Sequence, residues 1–240
     1  MRAAMILTSA LALAACNFSA SAKQDAGPRT ERGFQVGAFD RIALGGSHDV
    51  VVTIGGAHSV RAEGSAKALE RLEIKVEDGV LGIGTKKGNW VSFGNSGKII
   101  VYVTAPSLAA ASIGGSGDMR IDKVDGASFT GSIGGSGDMQ VAAMQVGEAT
   151  FSVAGSGGMI AAGKAGKSTI SVAGSGDIDT SALETRTSTV SVVGSGEVRA
   201  RAMETASVTI MGSGDVSMEG SARCTINKKG SGDVRCGNPG

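Results

Sequence analysis

Six acidic side chains return at nearly constant spacing through the second half of the chain: Asp118, Asp138, Asp177, Glu197, Asp215 and Asp233. Each is the fourth residue of a phrase opening Gly-Ser-Gly, with first glycines at Gly115, Gly135, Gly174, Gly194, Gly212 and Gly230; another copy, at Gly155, has Gly158 in the acidic place. Carboxylates repeated along a line suit two kinds of chemistry. They can hold a hard cation, since carboxylate and carbonyl oxygens fit Ca²⁺. Alternatively they stand in water, each accepting a backbone N–H in an Asx-type turn. The run Gly114–Asp118 is similar to the calcium-binding nonapeptide of toxin-type β-rolls. Its Asp comes one place early, however, and its period is about twice as long, so the hydrated reading is preferred and Ca²⁺ is kept as the competing one.

Ser47-His48-Asp49 contains the residue types of a nucleophile, a base and an orienting acid. Neighbours along a strand point to opposite faces, so three consecutive residues cannot converge on one reacting atom. Gly46-Ser47-His48-Asp49 is better read as a degenerate copy of the repeated phrase. His58 has no Cys or carboxylate at ligand spacing, which gives no zinc site. No catalytic residue is therefore assigned.

The three cysteines divide into two roles. Arg2, the apolar run Ala3–Ala12 and Leu13-Ala14-Ala15-Cys16 together resemble a bacterial lipobox, in which the Cys is lipidated and becomes the new N-terminus. Ordinary signal-peptidase cleavage after Ala20-Ser21-Ala22 competes with it. The apolar run is too short for a spanning helix. By the sorting rule of Gram-negative lipoproteins, Asn17 after the Cys favours the outer membrane. Export would put Cys224 and Cys236 in an oxidising compartment. Each lies six places from Gly230, with the parity of inward positions, so a disulfide closing the last coil is expected.

Regular elements must position these groups. Successive first glycines are 20, 20, 19, 20, 18 and 18 residues apart, the signature of stacked repeats. Before each phrase apolar residues alternate with polar ones, as in Phe151-Ser152-Val153, Ile170-Ser171-Val172, Val190-Ser191-Val192 and Val208-Thr209-Ile210. After it, Met139 and Val141, Ile178, Val198, Val216 and Met218 continue the inward set. Period-two alternation in β-branched residues predicts strands with one buried face. Each repeat reads as strand, glycine corner, strand and a softer return, too short for a crossover helix, so a β-solenoid with parallel pairing between about seven coils is expected. Glycine is needed at the corner for a positive φ or a close backbone approach. The last repeat has Lys228 where earlier ones carry Ile or Val, as suits a terminal coil facing water.

The organisation follows: residues 1–16 a lipoprotein signal, 17–33 a flexible tether, 34–106 an irregular leading β part sharing its core with the repeats, and 107–240 the regular solenoid. Within the leading part, strands are expected at Phe39–Leu44, His48–Ile54, His58–Glu63, Leu72–Glu77, Val80–Ile83 and Lys98–Val103. Asp78-Gly79 is a hairpin turn, one or two helical turns span Ser65–Leu72 with Ala66, Leu69 and Leu72 inward, and Trp90 is either a lid on the first coil, the preferred reading, or an exposed contact residue. A net charge of +1 and 3% aromatic content supply neither the basic field nor the stacking platforms of a nucleic-acid binder. The 39 glycines suit thin coils with small side chains.

Phe39-Asp40-Arg41-Ile42, the following Asp49-Val50, Leu72–Ile83, the joint Val103-Thr104-Ala105-Pro106-Ser107-Leu108 and the repeated Gly-Ser-Gly-Asp phrases together resemble the bacterial "putative auto-transporter adhesin, head GIN domain" family over residues 34–236. The resemblance implies an all-β, right-handed parallel β-helix and an adhesin-like role, and brings no catalytic residues; Gly158 and Glu197 depart from its pattern. The expected function is a non-enzymatic, lipid-anchored envelope protein that presents an elongated surface to glycans or cell-surface partners. A calcium-stabilised spacer and a polysaccharide-processing β-helix enzyme compete with it. The enzyme is disfavoured because the acids form a monotonous column and aromatic side chains are scarce.

Overall fold

Residues 28–86 and 98–237 are described by the computed structural model. Cys16, most of the expected tether and Trp90 lie outside them. In chain order the elements are β1 (Arg29–Phe34), β2 (Arg41–Gly46), β3 (Asp49–Ile54), β4 (Ser59–Ser65), α1 (Ala66–Arg71), β5 (Leu72–Glu77), β6 (Val80–Thr85), β7 (Ile100–Ala105), β8 (Ala110–Gly115), β9 (Met119–Ile121), β10 (Val124–Ile133), β11 (Met139–Gly155), β12 (Gly158–Gly174), β13 (Asp177–Gly194), β14 (Glu197–Gly212), β15 (Asp215–Glu219), β16 (Arg223–Gly230) and β17 (Val234–Cys236).

The alternating pattern places one side chain in two inside. Val153, Val172, Val192 and Ile210 stand in register on consecutive coils, and so do Phe151, Ile170, Val190 and Val208. All eight are 2% exposed or less. Burying one such side chain contributes roughly 1.5–3 kcal/mol, so each coil is held by the coils above and below it. The strands entering the corners (β2, β8 and the ends of β10 to β14, then β16) make one parallel face. Those leaving them (β3, β9, the starts of β11 to β14, then β15 and β17) make a second. Seven Gly-Ser-Gly corners bound about six turns. The whole is an all-β solenoid.

The return between faces is more ordered than the softer segment expected from sequence. It forms a third parallel ladder, in which Met144 pairs with Gly163 and Gly163 with Leu183. Its inward positions include Gly163, Ala165 and Thr185, so the apolar alternation that marks the other two is faint. The ladder also absorbs the uneven repeat length: register shifts fall between Val141 and Met144, between Ile160 and Gly163, and twice in the pairing of β13 with β14. The two strong faces keep their registers because an error there would turn every apolar side chain outward.

In the leading part the order in space departs from the order in the chain. β2 and β3 form a coil stacked directly on β8 and β9, whereas β6 and β7 lie on its opposite side. The chain thus makes one coil, passes outward through β4, α1 and β5, adds a coil on top, and returns below to start the regular repeats. Antiparallel β4 on β7 and β5 on β6 finish that end. The β5–β6 hairpin turns through Asp78 (φ 50°) and Gly79 (φ 74°), the left-handed pair such a turn needs. In α1 the Ser65 hydroxyl caps by accepting from the Ala68 N–H at 3.2 Å. Ala68, Leu69 and Leu72 point inward while Ala66 is exposed, a one-position correction to the expected helical face. A second correction concerns the tether: Arg29–Phe34 is not free but forms edge strand β1, antiparallel to β4. Its side chains are almost all exposed, so no alternation announced it. One continuous cluster of buried side chains runs from Phe39 to Ala222.

Candidate functional site: the glycine corner and its acidic column

Backbones pack against backbones at the corner. The Ser136 N–H donates to the Gly115 carbonyl at 2.9 Å, Ser156 to Gly135 at 3.0 Å and Ser195 to Gly174 at 2.8 Å. At Gly157, representative of the third position in the phrase, an added Cβ would stand 2.9 Å from Ile133 Cγ2 and closer still to the Gly137 carbonyl oxygen. Gly155, in the first position, also has φ 144°. Both glycines are therefore required by the stacking of corner on corner, and strain at φ is an added reason at the first. Gly46-Ser47-His48-Asp49 occupies the equivalent corner, since Gly46 pairs with Gly115 and Val50 with Met119.

The serine side chains at the corners are exposed, and the acidic residues follow them in a column. Asp138 N–H donates to Asp118 Oδ1 at 3.2 Å, and Gly158 N–H to Asp138 Oδ1 at 2.8 Å. Glu197 N–H donates to Asp177 Oδ1 at 2.8 Å, and Asp233 N–H to Asp215 Oδ1 at 2.7 Å. Each carboxylate thus accepts from the next coil, not from the local turn expected from sequence. An Asp side chain is long enough to reach the neighbouring coil, about 4.8 Å away. Where the phrase departs, the ladder changes partner. With no side chain on Gly158, the Asp177 N–H donates to the Gly157 carbonyl at 3.2 Å; above Glu197, the Asp215 N–H donates to the Gly196 carbonyl at 3.2 Å.

Asp49 begins the column and is only 9% exposed. Lys98 reaches it at 2.7 Å, and this carboxylate holds the lysine above its ordinary pKa. Sequence reasoning missed Lys98 because its partner is 49 positions away and no spacing connects them. His48 bonds Thr85 Oγ1 at 3.1 Å, and burial lowers its pKa despite the opposing influence of Asp49. His58 Nε2 lies 2.8 Å from the Phe39 carbonyl and packs edge-on against that ring, which makes it part of the leading core.

Cys224 and Cys236 form a disulfide with Sγ–Sγ 2.06 Å. Cys224 lies in register with Ala206, and Cys236 with Met218, so the bridge joins the two strong faces across the open end. Lys228 stands in register with Ile210 and is exposed.

Among the described residues, no group of three or more His, Cys, Asp and Glu is arranged to hold a metal ion. A groove of about 970 Å³ lies outside β5 and β6 and is lined by Glu73, Lys75, Glu77, Gly82 and Lys86 among others. Its Glu73 is ion-paired with Lys75 at 2.8 Å. A smaller groove of about 210 Å³ runs beside the acidic column, bounded by Asp118, Arg120, Asp138 and Ile160.

Comparisons with known proteins agree with this architecture. A "putative adhesin" from Bacteroides fragilis superposes with TM-score 0.79 at 21% identity, covering 87% of this chain and 96% of that one. A "putative lipid binding protein" from Parabacteroides distasonis gives TM-score 0.68 at 22% identity, with 87% and 96% covered. A "putative adhesin" from Parabacteroides merdae gives 0.70 at 18%, again covering 87% and 96%. At such identities the likeness establishes the fold. No curated protein matches the sequence. The family described as "Putative auto-transporter adhesin, head GIN domain" matches residues 38–222, and the chain belongs to that family.

Proposed function

We propose that the chain is an exported, lipid-anchored and non-enzymatic envelope protein whose rod offers its side to a glycan or a cell-surface protein. The observation that carries this reading is the engagement of the acidic column. Four of its six carboxylates accept inter-coil backbone hydrogen bonds, which leaves a surface repeating about every 4.8 Å rather than a pair of acids poised around one bond. Long regular faces of this kind bind extended partners. Anchoring would act through Cys16 and, with Asn17 following it, at the outer membrane.

Two measurements test it. The chain from Asn17 onward should bind intact cells, envelope extracts or a glycan array; no binding to any of these would empty the proposal. The full chain should incorporate labelled palmitate, and Cys16→Ala should abolish that incorporation. Turnover is expected on no polysaccharide.

The calcium-stabilised spacer keeps one argument: the second carboxylate oxygens of Asp138 and Asp177 accept no hydrogen bond from the described residues. A ligand bound to the folded state alone raises the melting temperature. Equal melting in calcium and in chelator is expected, and a rise with calcium would favour the spacer.

A further inference from the structure

The outside of the first face differs from the rest of the solenoid. The ion pairs of the regular coils, among them Lys164–Glu184, Arg199–Asp179 and Arg201–Glu219, stand on the other two faces or their bends. Between the strands ending at Gly115 and Gly212, the outward positions of the first face carry no charge. Two ranks of hydroxyl side chains cross it, from Thr130 and Ser132 to Ser207 and Thr209. Beside them, nearest the corner, runs a third rank that is graded in size: Gly114, Gly134, Ala154, Ala173, Val193 and Met211. Val193 and Met211 are 44% and 47% exposed. Glu148 and Lys167, at the bend bordering the hydroxyls, are in register and offset one another.

A rank that is bare at one end and bulky at the other complements itself when inverted. A two-fold axis lying in this face along Thr169–Ala173 keeps each rank over its own counterpart and reverses the order of coils. Met211 then lies over Gly134 and Val193 over Ala154, with hydroxyls opposite hydroxyls, as an isologous contact requires. We infer that this face packs antiparallel against the same face of a second copy of the chain. Charge depletion is the compositional mark of an interface centre. A face of about 15 by 30 Å gives roughly 1,000 Å² over both copies, at the lower limit for a specific pair, so the dimer is weak and concentration-dependent. No aromatic side chain among the described residues points outward there to stack on a sugar.

The consequence rests on the anchored reading proposed above. β1 lies at the leading end of the rod, so an antiparallel pair carries its anchors at opposite ends. Such a pair links two apposed membranes rather than two copies in one membrane.

Sedimentation velocity on the chain from Asn17 onward, which keeps every described residue, tests the contact. The wild type should dimerise as concentration rises. Ala173→Lys sets two cations face to face at the axis and should weaken dimerisation about tenfold or more, with melting unchanged because the position points outward. Ser171→Cys, beside the axis, should cross-link under mild oxidation, whereas Ser132→Cys should not. A monomer at every soluble concentration overturns the inference. So does a dimer indifferent to Ala173→Lys, or cross-linking through Ser132→Cys as readily as through Ser171→Cys. Glycan binding that Ala173→Lys abolishes in a chain that stays monomeric would also overturn it and assign the face to the glycan. The palmitate measurement is independent of all these outcomes, so a failed contact and a failed anchor are told apart.

Discussion

Gly46-Ser47-His48-Asp49 and Gly155-Ser156-Gly157-Gly158 occupy equivalent corners, and each breaks the repeated phrase in a different place. His48 replaces a glycine in the leading part. The sequence between β6 and β7, which stack on the coil of β2 and β3, contains no Gly-Ser-Gly phrase. A side chain is tolerated there, and it bonds Thr85. Gly158 loses the acid but keeps both corner glycines, and the next coil redirects its N–H to a backbone carbonyl. The glycines are therefore obligatory wherever corner sits on corner, whereas the acid is replaceable because the backbone offers another acceptor. The two ends differ in the same spirit: antiparallel strands finish the leading end, while a disulfide and lysines finish the other.

The largest effect should come from placing a Cβ at a stacked corner. Gly157→Ala is expected to cost about 3 kcal/mol or more, since the obstructing Gly137 carbonyl belongs to the backbone. Gly33→Ala in the leading part, where nothing lies within 4 Å of the new Cβ, should stay within about 0.5 kcal/mol. Denaturant unfolding of the pair decides this, and equal losses would break the contrast between regions.

Next in size is the disulfide. Replacing Cys224 and Cys236 by Ser should cost about 2–3 kcal/mol on the loop-entropy account. Hydrogen exchange should locate the loss in β16 and β17 and leave β5 and β6 protected; uniform loss would show that the end is not a separate weak point.

A smaller change is expected from the acidic column. Asp138→Ala should lose about 1 kcal/mol by removing the acceptor of the Gly158 N–H, and Asp138→Asn, which keeps an oxygen, much less. Equal losses in the two variants would mean that charge, not hydrogen bonding, sets the value of the rung.

The smallest is a pH effect at His48. Its folded pKa lies below the ordinary 6.5, so the unfolded chain takes up the proton first. Well above pH 6.5 the histidine is neutral in both states and adds nothing. As pH falls from 6.5 toward the lower folded value, stability declines. His48→Gly, which restores the repeated phrase, should flatten that decline as pH falls through 6.5. An unchanged slope would place the acid sensitivity elsewhere.

Much of this was legible in the residues themselves. The glycine period and the alternation of Phe151, Val153 and their counterparts define stacked strands, because the requirements are local and repeat in every coil. The same parity placed Cys224 and Cys236 on inward positions. Other features left no local trace. β1 has no buried face, so its polar residues resemble a linker. The inward residues of the return ladder include Gly163, Ala165 and Thr185, too small or too polar to mark a buried strand.

Period and parity, properties of neighbours along the chain, thus determined the coil, its inward side chains and the need for glycine at its corners. The tertiary structure alone decided that β6 and β7 stack outside β2 and β3, that Lys98 pairs with Asp49, and that Asp118, Asp138, Asp177 and Asp215 each reach the coil beyond. Those contacts join residues whose separation bears no relation to the repeat, or whose partner is a backbone N–H that every residue but proline possesses. Only the stacking of one coil on another selects among them.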